Sequence, residues 1–191
     1  MAERRGLWRS GLGAAALALL TGCVTAPLAP APAPPQAPAP AFDPFAFFLG
    51  ASEGTGTLAK AMADDVPVRV TSMGRLETEV RREAAWAAPP RRVLVLDQVV
   101  REGDKPPRRR QWRIHEVAPG RYAGSLTGAL TPIEGRSEGN RLVLTFTIKG
   151  GLSVRQELTL SADGSHAANV MTVTKLGLTV AVLSEDIRKA P

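Results

Sequence analysis

Alternation of apolar and polar residues dominates the chain from about residue 54 onward. It is clearest at 142–148, where every second residue is large and apolar, namely Leu142, Leu144, Phe146 and Ile148. Residues 154–160 repeat the pattern, with polar residues between Val154, Leu158 and Leu160. A period of two puts alternate side chains on opposite faces, so both stretches predict half-buried β-strands. Weaker alternation predicts further strands at 66–72, 92–101, 110–117, 121–128, 167–174 and 178–188.

Turn sequences separate the predicted strands. They are Glu102-Gly103-Asp104, Pro119-Gly120, Glu138-Gly139-Asn140, Gly150-Gly151 and Ala162-Asp163-Gly164. Strands at this spacing, with no long helical pattern between them, indicate an antiparallel sandwich or barrel of about eight to ten strands. We predict an all-β fold, a single antiparallel barrel over 42–191, because a closed barrel leaves no exposed sheet edge.

A short aromatic segment precedes the strands. Asp43 followed by Pro44 is a good helix start and Gly50 a good stop, so we predict one helical turn. Three of the five phenylalanines lie within it, Phe45, Phe47 and Phe48. Such a segment can plug an apolar opening, such as a barrel end. The alternative is an exposed patch that enters a membrane.

The first 22 residues have the layout of a secretory signal peptide, with a basic start and then an apolar run of small residues and leucines. From Leu7 to Gly22 there are 16 residues, interrupted by Arg9. A membrane-spanning helix needs about 20 apolar residues, so we predict a cleaved signal peptide at 1–22 instead.

The sequence Leu20-Thr21-Gly22-Cys23 resembles the lipobox of bacterial lipoproteins. This resemblance implies a lipid on the Cys23 thiol and cleavage before it; the alternative is an ordinary signal peptide. Val24, which is not aspartate, favours the outer membrane in such sorting signals. Residues 23–41 form a Pro/Ala-rich linker, with seven prolines in 24–41. As an extended polyproline II tether it could reach about 55 Å at about 3.1 Å per residue.

Composition narrows the remaining chemistry. Cys23 is the only cysteine, so the barrel has no disulfide and no thiolate metal site. Without the predicted signal peptide the chain has 21 basic and 17 acidic residues, a net charge of +4. This modest charge, in a periplasmic protein, does not indicate a nucleic-acid partner.

Catalytic and metal-binding motifs are not apparent in the sequence. His115 and His166 are isolated, and there is no nucleophile elbow, Cys–His pair or phosphate-binding loop. The adjacent carboxylates at 64–65 and at 185–186 point to opposite faces of a strand, so neither makes an acid–base pair.

Two groups of residues invite a functional interpretation. The basic stretch 105–113, around Arg108 and Arg109, is either a solvated hairpin or a contact for anionic lipid head groups. Inward-facing residues such as Trp112 and Tyr122 are either core or, in a barrel with a cavity, the wall of a ligand site.

The spacing of several short motifs resembles an uncharacterised family of bacterial lipoproteins with a lipocalin-like, calycin-type barrel. The resemblance covers 43–189 and rests on Phe47-Phe48-x-Gly50, Arg110-x-Trp112, Tyr122-x-Gly124, Gly135, Gly139-Asn140, Asn169-x-Met171 and Lys175-x-Gly177. One departure is Arg155-Gln156-Glu157, where the family pattern has a pair of aspartates. No activity is established for the family.

These observations favour a non-catalytic, membrane-anchored periplasmic lipoprotein whose barrel binds a lipid or another apolar molecule. The alternative is a structural protein with a filled barrel that contacts another envelope protein. An enzyme ranks third, and no cofactor or metal is expected. The candidate ligand-lining or motif residues, beside the lipidated Cys23, are Phe47, Phe48, Arg110, Trp112, Tyr122, Leu144, Phe146, Asn169 and Lys175.

Overall fold

The computed structural model describes residues 40–80 and 90–190. They form one short helix, α1, at Pro44–Phe47. Ten strands follow: β1 Gly50–Lys60, β2 Ala63–Glu79, β3 Arg91–Glu102, β4 Arg108–Ala118, β5 Arg121–Leu126, β6 Ile133–Glu138, β7 Arg141–Ile148, β8 Leu152–Leu160, β9 His166–Lys175 and β10 Leu178–Lys189. The predicted signal peptide, Cys23 and the linker as far as residue 39 lie outside the described residues. No helix within the described ranges is long and apolar enough to cross a bilayer.

The strands form one closed antiparallel barrel. Each strand pairs with the strand before it, and β10 pairs with β1. The closing seam runs from Ser52 opposite Lys189 to Lys60 opposite Ala181. Closure removes both sheet edges, as expected. The predicted all-β antiparallel barrel is confirmed, with ten strands where a lipocalin has about eight.

Side chains alternate between the two faces as the sequence pattern predicts. In β7, Leu142, Leu144 and Phe146 are buried and their neighbours are only half-buried. In β8, Val154 and Leu158 point inward in the same way.

Two strands carry no apolar alternation and were not in the predicted set, β1 and β6. Their inward positions hold small residues, among them Ser52 and Gly54 in β1 and Gly135 in β6. A Cβ at Gly54 would lie 1.9 Å from the Glu185 carboxylate oxygen, so the small residue makes room for a buried side chain. Hydrophobic periodicity cannot reveal such a strand.

The helix closes one end of the barrel. The Asp43 carboxylate accepts a hydrogen bond from the Phe45 amide at 2.8 Å, which caps the helix as predicted. Phe42 joins the helix aromatics, and its carbonyl accepts a hydrogen bond from Ser137 Oγ at 2.5 Å. The chain passes so close to β2 that a Cβ at Gly74 would lie 1.7 Å from the Phe48 carbonyl oxygen.

The aromatic plug is therefore confirmed, and the alternative of an exposed aromatic patch is wrong. Phe42, Phe45, Phe47 and Phe48 are all less than a tenth exposed. We call this end of the barrel the helix end. The opposite end, formed by the turns after β1, β3, β5, β7 and β9, is called the far end.

Apolar side chains inside the barrel form two clusters. The main core joins the plug to Leu94, Trp112, Leu144 and many neighbours from β3 to β9. The second cluster lies toward the far end and comprises Val68, Val70 and Leu183, with Leu58, Val100 and Met171 packed against it. The interior between the second cluster and the plug contains polar side chains.

Candidate functional site

The predicted aromatic and apolar site residues are packed against one another in the main core. Trp112 and Phe146 meet edge-on, with ring centroids 5.7 Å apart, and Tyr122 contacts Phe45 at 6.1 Å. Leu144 is 3% exposed within the same core. Phe47 and Phe48 pack on each other in the plug. A ligand-lining role for these residues stays a prediction.

Arg110 points into the barrel, although its neighbours in the basic stretch point outward. Its Nε donates a hydrogen bond to Gln98 Oε1 at 2.7 Å, and its guanidinium lies 5.7 Å from the Trp112 ring centroid. The Trp112 indole N–H donates to the same Gln98 oxygen at 2.7 Å. Burial lowers the pKa of Arg110, since the charged form loses hydration. A guanidinium nevertheless stays protonated in proteins.

Asn169 also faces inward, and Lys175 does not belong to the same site. The Asn169 side chain is 2% exposed and donates a hydrogen bond to Glu185 Oε2 at 2.8 Å. Lys175 is the last residue of β9 and is exposed at the far end. The motif residues thus divide between the interior and the rim.

Most of the buried polar residues around Arg110 were not predicted. Ser52, Ser72, Gln98 and Arg110 stand directly opposite one another on β1, β2, β3 and β4. Glu185 on β10 stands opposite Asn169 on β9. Together with Gln156 on β8, they make an arc across seven neighbouring strands. We call this set the inner polar cluster, with the members Ser52, Ser72, Gln98, Arg110, Gln156, Asn169 and Glu185.

A sequence signal for this cluster was present. Gln98, Gln156, Asn169 and Glu185 each interrupt a period-two row of inward apolar residues, as Glu185 does between Leu183 and Ile187. The predicted opposite orientation of Glu185 and Asp186 holds, because Glu185 is buried and Asp186 is half-buried on the other face. What that reasoning missed is that the inward carboxylate meets partners from other strands.

Several atoms of the inner polar cluster are buried without a hydrogen-bond partner in the part of the chain that the structure describes. These are Ser52 Oγ, Gln156 Oε1, Asn169 Oδ1 and Glu185 Oε1. Buried polar atoms are almost always hydrogen-bonded, to the protein, to water or to a ligand. Burial raises the pKa of Glu185, and the Asn169 hydrogen bond and the Arg110 charge only partly oppose this.

At the far end, the basic stretch surrounds one carboxylate. Glu102 is buried and accepts hydrogen bonds from Lys105 at 2.8 Å, Lys60 at 2.5 Å and Arg108 at 2.9 Å. The bonds from Lys105 and Lys60 lower its pKa to about 2. Arg109 points outward beside a surface groove of about 710 Å³ on β1–β4. Arg108 and Arg109 are both exposed, as expected for a solvated hairpin, and Arg108 in addition belongs to an ion-pair cluster.

No family model matches the chain, and no curated protein matches it either. Two solved structures share its barrel. One is the S-type phycobiliprotein lyase CPES from Guillardia theta, with 7% identity and a TM-score of 0.58 over 77% of this chain and 90% of that one. The other is Rv2717c from M. tuberculosis, with 13% identity and a TM-score of 0.53 over 78% of this chain and 99% of that one. The likeness is one of fold, a closed ten-stranded barrel.

The comparison corrects one prediction. We expected a non-catalytic protein because the sequence shows no nucleophile–base pair and no metal motif. A barrel of the same fold belongs to a phycobiliprotein lyase, so the missing motifs do not separate this fold from enzymes. The exclusion of an enzyme is therefore wrong.

Proposed function

We propose that the protein is a lipid-anchored protein of the outer membrane that faces the periplasm and binds a small amphipathic molecule inside its barrel. The anchor rests on the sequence around Cys23 and on the Pro/Ala-rich linker. The binding role rests on the fold and on one observation above all. Four buried polar atoms on the inner wall have no partner among the described residues, and they lie beside apolar clusters that line the rest of the interior.

The arrangement of the interior supports an amphipathic ligand rather than a purely apolar one. The main core extends from the plug along β3 to β9 as far as Ile148 and Leu152 at the far end, so a ligand would lie beside it, along β10, β1 and β2. There the second cluster offers an apolar surface, and the inner polar cluster lies between it and the plug. An amphipathic ligand would fit both clusters, with its polar head directed toward Asn169 and Gln156 and its tail along Val70 and Leu183.

Native mass spectrometry of the chain from Cys23 onward, which contains the whole closed barrel, tests the proposal. We expect an added small-molecule mass that is lost on denaturation. The variant Asn169→Leu with Gln156→Leu should lose that mass, because the polar partners of the ligand are gone. The outward pair Thr145→Leu with Thr172→Leu is the matched control and should retain it.

A structural protein with a filled barrel is the second candidate function. It is favoured by the packing of Trp112 on Phe146 and of Tyr122 on Phe45 within the main core. In that case the native mass equals the mass of the chain alone. Gln156→Leu alone should then fold with equal or greater stability, because an apolar group would replace an unpaired polar one.

A further inference from the structure

Arg110 is a half-buried cation that faces the interior and, among the described residues, has no anion at hydrogen-bonding distance. Within residues 40–80 and 90–190, its one hydrogen bond goes from Nε to the neutral amide oxygen of Gln98. Arg113, three positions further along β4 on the outer face, pairs with Glu77 at 3.0 Å and with Glu79 at 2.7 Å. The inward arginine therefore differs from its outward neighbour, and its terminal nitrogens remain available as donors.

A buried charge is costly unless it is paired and hydrogen-bonded. The carboxylate whose charge acts on Arg110 is Glu185, but no ion pair within 4.0 Å joins them in the described part of the chain. The Asn169 side-chain amide donates a hydrogen bond to one carboxylate oxygen of Glu185, and the other carboxylate oxygen lies beside Gly54. Glu185 is therefore fixed on β10 and does not reach Arg110.

We infer that the interior ligand carries an anionic head group, a carboxylate or a phosphate, which the Arg110 guanidinium binds. The negative charge of Glu185 weakens this binding and so sets how strongly an anion is preferred. This inference rests on the proposed function. Planar guanidinium donors suit carboxylate and phosphate oxygens. The unpaired oxygens of Gln156 and Asn169 would accept hydrogen bonds from water or from a hydroxyl group on the same head.

The position of Arg110 also orients the ligand. In β2, Val70 and Val68 follow Ser72 toward the far end, and in β10, Leu183 follows Glu185 in that direction. The plug blocks the helix end. The acidic head would therefore lie at Arg110, between the plug and the second cluster, and the acyl or alkyl tail would extend along the second cluster toward the far end. A single-chain acidic lipid has this shape.

Three probes with the same tail separate charge recognition from tail burial. These are hexadecanoate, hexadecyl phosphate and hexadecanol, each titrated into the chain from Cys23 onward by calorimetry or by displacement of a fluorescent fatty acid. Inorganic phosphate alone is a fourth arm, which reports the head site without a tail. We expect both anionic probes to bind at least about tenfold more tightly than the alcohol, as for hydrogen bonds to a charged partner.

Substitutions on adjacent inward and outward positions provide matched controls. Arg110→Gln should remove the preference for anions, so that hexadecanoate and hexadecyl phosphate bind no more tightly than hexadecanol, and a urea melt of the variant shows that it is folded. Arg110→Lys keeps the charge and should retain part of the preference. Arg109→Gln changes an outward arginine one position away and should have no effect. Glu185→Gln should tighten anion binding by about three- to tenfold, and Asp186→Asn should not.

The outcomes distinguish the two proposals. Equal binding of the acid and the alcohol, unchanged by Arg110→Gln, would overturn the anionic head and leave the binding barrel intact. Binding of no probe, together with a native mass equal to the chain alone, would overturn the proposed function itself. If Arg110→Gln does not fold, the anion preference of Arg110→Lys and Glu185→Gln decides: an unchanged preference in both would exclude Arg110 as the anion site.

Discussion

Gln98 is the residue on which the buried polar groups of β3 and β4 converge. Its Oε1 accepts from both the Arg110 Nε and the Trp112 indole, and its Nε2 donates to Ser72 Oγ at 2.9 Å. The side chain is 9% exposed, so water cannot readily replace these bonds. A single amide thus fixes the orientation of the only inward arginine of the basic stretch.

We expect Gln98→Met to lower the free energy of unfolding by about 2–4 kcal/mol, since it leaves buried donors without acceptors. Gln111→Met is the matched control. Gln111 donates a hydrogen bond to Asp97 on the outer face, and the loss of this bond should lower the free energy of unfolding by no more than about 1 kcal/mol. Urea melts of both variants check this. Equal losses would mean that the Gln98 bonds contribute little.

Glu102 makes stability depend on pH at the far end. Lys105, Lys60 and Arg108 hold it ionised, and its pKa falls from 4.5 to about 2 in the folded barrel. A carboxyl group with a depressed pKa stabilises the folded state at pH values above its unfolded-state pKa. This contribution is lost as the pH falls from 4.5 toward 2. Because Lys105 and Arg108 are mostly exposed, we take the contribution at pH 7 as about 2 kcal/mol.

The variant Glu102→Gln tests this directly. Its free energy of unfolding should lie about 2 kcal/mol below that of the native chain at pH 7, and the two should converge near pH 2. Asp104→Asn, which alters an exposed carboxylate in the same turn, serves as the control and should leave the pH profile unchanged. If the difference in free energy of unfolding between the native chain and Glu102→Gln persisted unchanged to pH 2, the ion pairs of Glu102 would not be its cause.

Among the strands, β7 shows the period-two pattern in its purest form. Phe146 is 7% exposed and meets Trp112, whereas Thr145 is half-buried on the outer face. We expect Phe146→Ala to cost about 3–5 kcal/mol through lost burial and a cavity. Thr145→Ala should stay within about 1 kcal/mol. Denaturant melts that reverse this order would mean that the register of β7 is one residue out.

The sequence predicts a strand only where apolar residues mark the inward face. That condition holds for β3, β7 and β8 but not for β1 or β6, where serine and glycine point inward. The reason is steric, because Gly54 accommodates Glu185 and Gly135 accommodates Tyr122 and Leu144. The small residues of β1 are thus explained by a side chain of β10, which is far away in sequence and adjacent only after closure.

At the scale of the whole barrel, the inner polar cluster exists because of register. Ser52, Ser72, Gln98 and Arg110 lie 58 positions apart from first to last, yet they align across four strands. Alternation predicts which face each residue occupies but not the height at which neighbouring strands pair. This is why Arg110, Trp112 and Asn169 could be proposed singly from motifs, whereas Glu185 and Gln98 could not be assigned to one site.

The predicted linker would enter the barrel at the helix end. Phe42 is fixed there by hydrogen bonds with Gly139 and Ser137, so the linker leaves from the end that the plug closes. A strand of 12 residues such as β10 spans about 40 Å even when fully extended. The expected linker reach of about 55 Å exceeds this length. A lipid on Cys23 therefore leaves the far end free to face either the membrane or the periplasm.

We expect Cys23→Ser to abolish attachment to the membrane, because the chain has no other cysteine to carry the lipid. Metabolic labelling with a fatty-acid analogue should mark the native chain and not the variant. The variant should also keep its signal peptide, since lipoprotein cleavage follows modification of that thiol. Ser52→Ala, a change within the barrel, is the control and should be labelled normally. Label that survives in Cys23→Ser would show that the acyl chains are carried elsewhere, and the lipoprotein interpretation would then be wrong.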